Sequence, residues 1–150
     1  MPWYKKKAKS HPAGLPGESD INVCDSPDER SAVKNFLGKS VEDILLRIPG
    51  EYQSLQEDLA FMGPRAFAYY AEAWERFLEL RLRDEDVLRW TLCILDIRCL
   101  WLDEETPEAR AAMLRLLQLC ISGYQLLLHT EEEAEIRLKH CEELQQQLQS

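Results

Sequence analysis

From Asp25 to the C-terminus apolar side chains return every three or four residues, the spacing of one face of an α-helix. Ser26-Pro27-Asp28-Glu29 offers a capping hydroxyl, a proline at the first helical position and two acids in the first turn, and Gly38 offers the stop. Ser40-Val41-Glu42-Asp43 opens a second short helix with Ile44, Leu45 and Ile48 on its apolar side, ended by Pro49-Gly50. A third segment runs from Glu51 to Met62 with Tyr52, Leu55, Leu59 and Met62 in step, and Gly63-Pro64 is a stop followed by a start.

The fourth segment carries Phe67, Tyr70, Trp74, Phe77, Leu78 and Arg81 along one face, with Glu72–Arg76 and Glu79–Arg83 as favourable pairs on the polar side. Asp84-Glu85-Asp86 marks the next start. Val87 to Leu102 is apolar nearly all round, which predicts a helix covered on several sides. Thr106-Pro107-Glu108 repeats the cap pattern before a second central helix from Met113 to Leu128. Thr130-Glu131-Glu132-Glu133 reads as a capping box for the last segment, where Ala134, Leu138, Cys141, Leu144 or Gln145, and Leu148 make a narrow seam. Such a seam suits packing on the chain's own helices or zippering to a second copy as a homodimer.

Strand signals are missing: no Asn-Gly or Asp-Gly hairpin dipeptide occurs, and no period-2 run is sustained. The pattern predicts an all-α, single-domain bundle of about six or seven helices over residues 25–150, with two very apolar central helices. Residues 1–24 read as a flexible basic tail, since the run to Gly17 has four Lys, three Pro and no acid. No apolar region follows those charges, so the segment is not a signal peptide.

Charge narrows the function classes. The chain is net -9. Four Lys against Glu18 and Asp20 leave residues 1–24 at +2, so the remainder stands at -11. So acidic a body makes a poor general nucleic-acid binder. No apolar run approaches the ~18–20 uninterrupted residues of a membrane span. The five Cys are odd in number, form no C-x-x-C pair and sit mostly in apolar stretches, which fits free thiols in a reducing, cytoplasmic compartment.

Chemistry-bearing motifs are sparse. No Gly-x-Ser-x-Gly, His-Glu-x-x-His or Glu-x-x-His occurs. Gly38-Lys39-Ser40 lacks the first glycine of a phosphate loop and reads as a helix stop plus a cap. His140-Cys141 are adjacent on a helix and point about 100° apart, and His11 and His129 have no partner at ligand spacing, so neither metal nor cofactor is expected. Asp96, beside Arg98 on the apolar fifth helix, predicts a buried carboxylate paired with a basic side chain from another helix. Tyr69 falls off the buried stripe, Arg65 precedes it by one turn at the Gly-Pro corner, and Asp58 lies on the helix before it. These three are the candidate partner contacts, Arg and Tyr being residue types favoured at interfaces.

Phe36-Leu37-Gly38-Lys39-Ser40 with Val41-Glu42-Asp43, and then Glu57 through Tyr70 (EDLAFMGPRAFAYY), resemble a group of small uncharacterised bacterial all-helical proteins. In that group a Phe-x-Gly-Lys-Ser start precedes a Phe-Met-x-Pro-x-Ala-Phe-x-Tyr-Tyr corner. The group carries a Leu-Pro soon after the paired Tyr, where Ala71-Glu72-Ala73 continues a helix here. The likeness spans residues 36–77 and implies bacterial origin, cytoplasmic residence and, as in some members, an immunity-like or accessory role; no catalytic residues come with it. Two functional expectations stand. One is a non-enzymatic protein-binding module acting through an acidic helical surface. The other is an enzyme or small-ligand binder with a site between helices, built on Asp96, Glu72 or a tyrosine of the corner.

Overall fold

The structure is a computed structural model that describes residues 14–150. Among them are seven α-helices, one 3₁₀ turn and no strand, so the chain is an all-α bundle. In chain order these are α1 (Glu18–Ile21), α2 (Pro27–Phe36), α3 (Val41–Phe61), α4 (Pro64–Glu79), α5 (Glu85–Cys99), the 3₁₀ turn (Leu102–Glu104), α6 (Pro107–Leu127) and α7 (Ala134–Gln149).

The helix starts follow the cap chemistry of the sequence. Ser26 accepts from the Glu29 amide, Ser40 from the Asp43 amide and Thr106 from the Ala109 amide. Gly38 takes a positive φ of 78°, the left-handed stop that suits glycine. α3 departs from the expectation of two helices. The Pro49-Gly50 pair bends it, and only Glu51 leaves helical geometry, with φ -135°. Arg47 pairs with Glu51 across the bend at 2.9 Å.

α4 lies between α3 and α6, with α1 against it, and buries the predicted stripe of Phe67, Tyr70, Trp74, Phe77 and Leu78; Arg81 ends that stripe in solvent. Trp74 donates its indole N–H to Thr91 at 2.8 Å, joining α4 to α5 inside the core. The Tyr70 hydroxyl sits 2.8 Å from the Phe36 carbonyl and 2.7 Å from that of Lys39, which fixes the end of α2. α5 and α6, the two very apolar helices, each pack against three others. α5 still leaves Arg89, Cys93 and Asp96 along one exposed line.

Two further expectations are corrected. The packed body starts before Asp25: Pro16, Gly17 and Ile21 are buried, and the Gly63 amide donates to the Ile21 carbonyl at 2.9 Å. The tail reading of residues 1–13 lies outside the described residues. Thr130 does not cap α7, which starts four residues later; its hydroxyl and amide, with the Glu131 amide, turn back to the Leu127 carbonyl at the end of α6. The α7 seam is taken up by the chain itself, with Ala134, Cys141, Leu144 and Leu148 buried against α6 and α5. This is the packing on the chain's own helices that the seam suits.

Candidate functional site

The sequence-chosen contact residues do not gather into one surface. Asp58 is only 2% exposed. Its carboxylate accepts from Ser31 Oγ at 2.9 Å and Asn35 Nδ2 at 2.6 Å, so it ties α3 to α2 rather than facing a partner. Burial raises its pKa above the ordinary carboxylate range, outweighing those two hydrogen bonds. Tyr69 is half-buried, edge-on to Tyr70 with ring centroids 4.9 Å apart. Arg65 is exposed.

Asp96 also differs from expectation. It is not sunk in the core; it lies in an open cleft between α5 and α7 of about 690 Å³ lined by Cys93, Arg137 and His140 among others. His140 Nε2 is 2.7 Å from Asp96, and His140 Nδ1 is 3.9 Å from Glu143. The basic partner from another helix is thus a histidine, and the pair faces water. Burial, and then the Asp96 charge, push the Cys93 thiol above its usual range, which is the wrong direction for a reactive thiolate. Among the described residues no three His, Cys, Asp or Glu are placed to hold a metal ion.

The buried charge of α5 is Arg98. Its guanidinium makes a two-point pair with Glu105 at 2.6 and 2.7 Å, with both side chains almost wholly buried. It also donates to the carbonyls of Leu59 at 2.9 Å, Ala60 at 3.3 Å and Met62 at 2.9 Å, the orphan acceptors at the end of α3. The same group stacks over Phe67 at 4.1 Å. Arg98 therefore joins α3, α4, α5 and the 3₁₀ turn at one point.

Above this junction opens a second cleft of about 450 Å³ between the α1–α2 loop, the α3–α4 corner and the 3₁₀ turn. The loop wall is held by Glu29, which accepts from the amides of Val23 at 2.7 Å, Cys24 at 3.1 Å and Ser26 at 3.2 Å. Burial pushes the Glu29 pKa up, but these amides and the Ser26 hydroxyl outweigh it and leave it below the ordinary range. The facing surface is apolar and open: Trp101 is 63% exposed, Val23 59% and Phe61 38%. Asp28 and Glu104 stand exposed on its rim.

Sequence reasoning missed this surface because Leu100 and Trp101 continue the apolar run of α5. The helix ends at Cys99, however, and both side chains fall outside it. The acids that follow at Asp103 to Glu105 were the available signal. No helix is long and apolar enough to cross a membrane among the described residues. No protein-family model, no curated protein and no solved structure matches the chain.

Proposed function

We propose that this chain is a non-enzymatic protein-binding module, immunity-like or accessory in kind, acting in the bacterial cytoplasm through an acidic helical surface. The cleft at the α3–α4 corner is the contact surface in this reading. The observation that carries it is the exposed Trp101, set beside Phe61 and Val23 on a rigid junction and rimmed by carboxylates. A large aromatic on a fixed apolar patch inside a polar rim has the anatomy of an interface anchor. The net charge of -9 supports an electrostatic component to the encounter.

The second reading, a small ligand held between α5 and α7, is favoured by the Asp96–His140 pair in an open cleft. One experiment separates the two. The full chain, its Trp101→Ala variant and its His140→Ala variant are used in parallel to capture proteins from native cytoplasm. A specific protein should be retained by the wild type and by His140→Ala. It should bind about 30-fold or more weakly to Trp101→Ala, the loss of an anchor worth about 2 kcal/mol. Equal retention by Trp101→Ala, or repeated capture of nothing, overturns the first reading.

A further inference from the structure

Most charges around the corner cleft are already engaged. Glu29 is saturated by three amides and a hydroxyl, and Glu105 is locked to Arg98. Asp28, on the first turn of α2, and Glu104, on the 3₁₀ turn, are both exposed and have no ion-pair partner among the described residues. The same cleft is lined by Val23, Phe61 and Trp101, all exposed. The surface therefore presents two uncompensated negative charges across an apolar floor. In the α5–α7 cleft Asp96 is hydrogen-bonded to His140, and Arg89 and Arg137 are paired within their own helices. That leaves Lys139 exposed there and, among the described residues, no pair of unpartnered exposed acids facing an apolar floor.

Resting on the protein-binding reading above, we infer that the occupant of this cleft is a partner segment with a Lys or Arg flanked by aliphatic side chains. The aliphatic groups cover Val23, Phe61 and Trp101, and the cation sits over the indole or between Asp28 and Glu104. A metal ion does not fit the site. Among the described residues no three His, Cys, Asp or Glu come together there, and Glu29 and Glu105 are already taken up by amides and Arg98. An acidic or purely apolar segment would leave both rim carboxylates repelled or desolvated without a partner.

The test uses the full chain and fluorescent peptides of one length: a Leu/Arg peptide, a Leu/Glu peptide and an Ala/Arg peptide. The Leu/Arg peptide should bind saturably and at least ~10-fold more tightly than either of the others, since both the charge and the apolar contact are needed. The double variant Asp28→Asn/Glu104→Gln removes only exposed, unpaired charges, so it should keep the wild-type circular dichroism. It should lose ~10-fold or more of the Leu/Arg affinity and most of its salt dependence. Equal binding of the Leu/Glu or Ala/Arg peptide overturns the inference. Unchanged binding by the double variant does so as well, as does peptide uptake that merely accompanies self-association of the chain. Failure of the wider reading looks different: there Trp101→Ala still captures the native partner, whatever the peptides do. If Trp101→Ala loses that partner while the peptides are not discriminated, the surface stands and the stated occupant falls.

Discussion

Glu29, in the wall of the corner cleft, and Asp58, between α3 and α2, are both buried acids, and their surroundings move their titration in opposite directions. Glu29 is held below the ordinary range by amide donors. Its contribution is present above the unfolded-state pKa and is lost as pH falls through the folded one. Asp58 is raised by burial, so its contribution is present at low pH and is lost as pH rises through its folded value. Urea unfolding of Asp58→Asn and Glu29→Gln between pH 4 and pH 7 should show the consequence. Relative to wild type, Asp58→Asn should gain as pH rises and Glu29→Gln should lose, with Glu29→Gln costing about 1–3 kcal/mol at neutral pH through its abandoned amides. Parallel pH curves for both variants would contradict this assignment.

At the scale of elements, the short α1 is fastened by a close approach rather than by its own four residues. A Cβ at Gly63 would meet the Asp20 carbonyl oxygen at 2.2 Å and Val23 at 2.6 Å, so only a bare backbone lets α1 lie on the corner. Gly63→Ala should destabilise by about 1–3 kcal/mol, with α1 displaced. Gly50→Ala meets nothing within 4 Å and should be neutral or stabilising by up to ~1 kcal/mol. Thermal melts of the two variants check the contrast. Elements of this kind divide what the sequence makes legible. Ser26, Ser40 and Thr106 announce three helix starts, because a cap is local chemistry within four residues. The stripe of α4 is equally plain from period alone. The docking of α1 is not, because it depends on a contact between residues some forty positions apart. Nor is the exposure of Trp101 legible, because an apolar run gives no mark of the residue at which its helix stops.

For the whole molecule, α7 completes the core. Its buried Ala134, Cys141, Leu144 and Leu148 close the side of α6 and α5. A chain ending at Thr130 should lose about 5 kcal/mol or more, at ~1.5–3 kcal/mol per large apolar side chain uncovered, which is much of a typical domain's stability. The expected signature is apolar-dye binding and a broadened melt, with the full-length chain keeping a single-chain mass on dilution. A cooperative truncated fold of half the full-length mass would instead favour the homodimer.

The guanidinium of Arg98 terminates one helix, clamps the turn after another and underlies the trough beside Trp101. Its five donors leave that floor no slack to yield. On the proposed reading, a visiting segment would have to accept the contour it finds, and collision with the right shape, not remoulding of the host, would set the pace of recognition.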